Sequence, residues 1–177
     1  MNKWGNNLKE DFKKIANLVF NKFISDGVLK KSEMRYLIND RGIADSYFSL
    51  LLENKEMNKK LSSQDYYYML CYMSFGAGAY FTEKQWRFSK PISDFTDSEI
   101  DSLFAALSKD DAVSLGFDSL GILIGSYNYN RTLNSIKSAF IEIYENFKAD
   151  FNDEVGIRFI MQLFFNAGVS MVYEKFE

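Results

Sequence analysis

The sequence predicts an all-α fold: one domain over residues 1–177, a multi-helix bundle of about eight helices around a hydrophobic central helix at 62–86. Three observations carry this reading. Apolar residues recur at steps of three and four along most of the chain, the spacing of one helix face. Proline occurs once, at Pro91, which suits long helices and argues against a fold rich in tight turns. Between Asp65 and Glu83 no formal charge interrupts an apolar run, as expected of a helix covered by neighbours on all sides.

Residues 7–25 form the first amphipathic pattern. Leu8, Phe12, Ile15, Val19 and Phe23 share a face, with Lys9, Lys13, Lys14 and Lys22 between them. Ser25-Asp26-Gly27 provides the stop, with Gly27 suited to a left-handed C-terminal position. Ser32 is placed to cap a short helix through Ile38, and Asp45 to cap the next, with Tyr47, Phe48, Leu51 and Leu52 inward. Residues 54–60 are polar, a loop or short helix. Ser62 and Asp65 then have the S-x-x-D spacing of a helix N-terminus and open the central helix. Within it the small residues Ser74, Ala77 and Gly78 offer another helix a close approach.

Residues 88–96 contain the proline and read as a loop. Thr96 and Glu99 make a capping box for a helix carrying Ile100, Leu103, Phe104 and Leu107. At 113–125 helix is favoured over strand, because no second strand is evident to pair with it. Residues 131–148 give the cleanest stripe: Leu133, Ile136, Phe140, Ile143, Tyr144 and Phe147. Asn152-Asp153-Glu154 opens the last helix, through Val155, Phe159, Leu163, Ala167 and Met171 to Phe176. Its centre is apolar on most sides and is expected beside the 62–86 helix. That central helix is the transmembrane candidate, but only 17 residues separate its flanking charges and five are tyrosine, so a buried core helix is expected instead.

Composition excludes much chemistry. Histidine is absent, which removes the commonest general base and metal ligand together. The single cysteine, Cys71, lies inside the apolar run, where burial raises a thiol's pKa and no imidazole can activate it; an inert core residue is expected. Gly76-Ala-Gly78 lacks the third glycine and preceding strand of a dinucleotide fingerprint. Gly116 and Gly121 have P-loop spacing, but Ile122-Leu123 stands where Lys-Ser/Thr is required. An EF-hand loop starting at Asp94 would need glycine at Glu99 and glutamate at Ala105. No cofactor or metal is therefore expected. The first residues carry no apolar signal-like run, so a cytoplasmic protein is expected, of bacterial type in the reading adopted below.

Charge is uneven. The whole chain carries −3, with residues 1–60 basic and the remainder acidic, so there is no overall pull toward nucleic acid, and the N-terminal lysines read as a solvated face. From 94 to 118 seven acids face one base, Lys109. Some of these are caps and first-turn residues; together they could form an acidic binding face. Asp94, Asp97, Asp101, Asp110, Asp111 and Asp118 are the candidate contacts, joined by Tyr127 and Tyr129 because tyrosine is enriched at interface centres. The expected function is a non-enzymatic protein-binding domain. Its most specific form is an immunity or inhibitor protein that masks the basic, nuclease-like active site of a toxin. The competing reading is a small-molecule or lipid binder, or a carboxylate-dependent enzyme, with a cavity lined by residues 66–72, Phe75 and residues 159–165.

Overall fold

In the computed structural model the described residues are 6–30, 34–35, 42–54, 59–87, 115 and 129–176; side chains at 6–9, 84–87, 129 and 176 are not described. They define six helices and no strand: α1 Asn6–Ser25, α2 Ile43–Leu52, α3 Ser63–Arg87, α4 Tyr129–Asn146, α5 Lys148–Phe151 and α6 Glu154–Phe176. The all-helical fold class holds. Of the helix expected at 32–38, Met34 and Arg35 alone are described, and they are not helical; the helix expected after the Thr96 capping box lies outside the described residues, and of 113–125 Leu115 alone is described, in helical conformation and half-buried against the core.

The helix ends follow from local chemistry. Ser62 Oγ accepts the Asp65 backbone N–H at 3.2 Å, and the Tyr66 N–H closes the first turn on the Ser62 carbonyl at 2.8 Å, so Ser62 caps α3 as the spacing predicts. Asp153 does the same for α6: its Oδ2 accepts the Gly156 N–H at 3.0 Å. At the end of α1, Gly27 has φ 77°, and the Val28 and Leu29 N–H groups turn back to the Phe23 carbonyl at 2.9 and 3.2 Å. Two expectations are corrected. Asp45 lies in the first turn of α2 instead of capping it, because Gly42 at φ 82° bends the chain into the helix earlier, burying Ile43 and Ala44. The stripe of 131–148 is broken. α4 ends at Asn146, Phe147 leaves the helical region at φ −132°, and the short α5 carries Phe151 back inward. There its ring meets Tyr144, Tyr67 and Phe140 at 5.3, 5.4 and 5.5 Å.

α3 and α6 form the central pair and share the most extensive helix contact; α1 and α4 cover one flank, α2 another. The pairing is close because two glycines face each other's backbones. A Cβ on Gly78 would fall inside the Phe165 carbonyl, and one on Gly168 would overlap the Phe75 carbonyl and the Ala79 nitrogen. The small-residue reading of Ser74, Ala77 and Gly78 thus describes the contact, with all three buried or backbone-packed. Buried hydroxyls on α3 are satisfied within the helix, Ser74 donating to the Leu70 carbonyl at 2.7 Å and Thr82 to Gly78 at 2.8 Å.

Aromatic rings fill the space around the pair. Phe23 meets Phe75 and Phe164 at 5.5 and 6.0 Å, and Phe48 and Phe81 both reach Phe165. Phe12 stacks on Phe159 at 4.0 Å. Long-range tethers fix the segment after α1 to α6: the Lys30 N–H donates to Glu174 and the Arg35 N–H to Ser170, each at 2.7 Å. Among the described residues one helix, α6 (Glu154–Lys175), is long and apolar enough to cross a membrane, and α3, the sequence's candidate, is not; 78% of that apolar stretch of α6 is buried inside the bundle.

Candidate functional site

The acidic residues singled out from sequence, Asp94, Asp97, Asp101, Asp110, Asp111 and Asp118, and Tyr127 with them, lie outside the described residues. Tyr129 is the first residue of α4, and its side chain is not described.

The residues of the competing cavity are described, and they pack. Tyr68 lies 5.5 Å from Phe140, Tyr67 and Phe151 adjoin, and Phe75, Phe164 and Phe165 are fully buried in the core. Cys71 is fully buried, and desolvation pushes its thiol pKa well above the ordinary value, away from nucleophilic use. Among the described residues no group of three or more Asp, Glu and Cys is placed to hold a metal ion. One carboxylate among them is buried: Glu83, near the end of α3, at 3% exposure. The sequence presents it only as the charge that ends the apolar run.

A groove of about 450 Å³ opens where the end of α2 meets the start of α6, lined by Ser49, Leu52, Glu53, Tyr67, Phe151 to Glu154, Ile157 and Arg158. Beneath it Phe151 and Ile157 are buried in the core, and Leu52 is half-buried. Tyr67 Oη donates to Asn152 Oδ1 at 2.7 Å and fixes one wall. Arg158 bridges the two helices. Its guanidinium donates to Ser49 Oγ at 2.8 Å and lies 3.5 Å from Asp45 Oδ1 and 3.8 Å from Glu154 Oε1, both carboxylates well exposed. Negative charge exceeds positive: Glu53, Asp153 and Glu154 line the groove against Arg158 alone. Just behind, partial burial raises the Asp150 pKa, and Asp11 and Asp153 raise it further by repulsion. Helical periodicity shows none of this, because the groove joins residues a hundred positions apart through their polar faces.

A second open groove of about 550 Å³, between α1 and the end of α4, is lined by Lys14, Asn17, Leu18, Asn21, Asn146 and Phe147. Its polar walls are mainly amides, with one lysine, and impose no single charge preference.

No protein-family model, curated protein or solved structure matches the chain.

Proposed function

We propose that this bundle, of about eight helices over its whole length, is a non-enzymatic protein-binding domain. In its most specific form it is an immunity or inhibitor protein that lays an acidic face over the basic, nuclease-like active site of a toxin. The acid excess at 94–118, seven carboxylates against Lys109, carries this reading. Such a face attracts a cationic cleft at long range and fixes its orientation on docking. The packed aromatics support it against the cavity reading, since rings in mutual contact leave the 66–72 and 159–165 segments little room for a ligand. The test is charge reversal of Asp97, Asp110 and Asp111 together. Partner affinity should fall and its salt dependence flatten; unchanged values for both would remove these residues from the interface.

One observation favours a carboxylate-dependent enzyme instead: Glu83 is buried on the central helix. Turnover by the purified protein that disappears in Glu83→Gln, with the fold intact by circular dichroism, would establish that second reading.

A further inference from the structure

We draw no further inference here: the strongest candidate, the open groove between α1 and the end of α4 with Lys14, Asn17 and Asn21 along one wall, carries nothing because those side chains are exposed to solvent and nothing in the structure shows what covers it.

Discussion

Replacing Gly78 by alanine tests the central packing directly. In an exposed helix the change would stabilise the chain by about 1 kcal/mol, because alanine is the better helix former. Here the added Cβ meets the Phe165 carbonyl, a backbone group that cannot rotate aside. α3 and α6 must move apart locally, loosening the neighbouring contacts of Phe75, Phe164 and Phe165. Overpacking of this kind costs about 1–3 kcal/mol, and a clash with backbone belongs at the upper end. Net of propensity, a loss of about 2 kcal/mol is expected, or about 4–8 °C in Tm for a chain of this size. Gly168→Ala, which overlaps Phe75 and Ala79, should behave alike. The double variant should lose less than the sum, because the first methyl already opens the space the second requires. The assay is thermal and urea denaturation followed by circular dichroism. A rise in Tm for either single variant, or strict additivity of the two, would refute the close approach.

Further outcomes follow from individual residues. Ser62→Ala removes the α3 cap and should cost about 1 kcal/mol, measured by urea midpoint, whereas Ser62→Asp should retain most of the stability. Gly27→Ala places a Cβ at φ 77° and 3.3 Å from Arg131, and should cost about 1–2 kcal/mol. Asp150 has a raised pKa, so its ionisation opposes folding: its contribution is most favourable below the ordinary carboxylate value near 3.8 and is lost as pH rises through the higher folded pKa. Asp150→Asn should therefore raise Tm at pH 7 and leave it unchanged near pH 3; an equal rise at both would exclude the charge as cause. Cys71 should resist a maleimide in native buffer and react fully in denaturant; prompt native labelling would contradict its burial.

The parts of the fold visible from sequence are those set by local rules. Ser62 and Gly27 occupy positions where one turn of helix dictates the residue, and the inward faces of α1 and α4 follow from periodicity. The α3–α6 pairing was legible because both segments are apolar all round and need each other. The start of α2 was not, since Asp45 has the residue type of a cap and only the burial of Ile43 and Ala44 shows that the helix begins after Gly42. The break at Phe147 was hidden for the same reason: an unbroken stripe fits the pattern, but Phe151 finds its ring partners only if the helix turns. Val155 fits the apolar stripe of α6 and is nevertheless exposed, at 47%, which spacing along the helix does not reveal. The Arg158 bridge and its groove depend on which exposed faces meet, and spacing along one helix carries no such information. For the acids at 94–118 the sequence remains the whole of the case.

The pairing of α3 with α6 has a consequence for biosynthesis. Roughly 90 residues separate the end of one from the end of the other, about 5–20 seconds of translation at ordinary elongation rates. Throughout that interval the tyrosine- and phenylalanine-rich α3 has left the ribosome without its cover. A nascent chain stalled before residue 154 should therefore be bound by holdase chaperones, and one released with α6 free to pair with α3 should not.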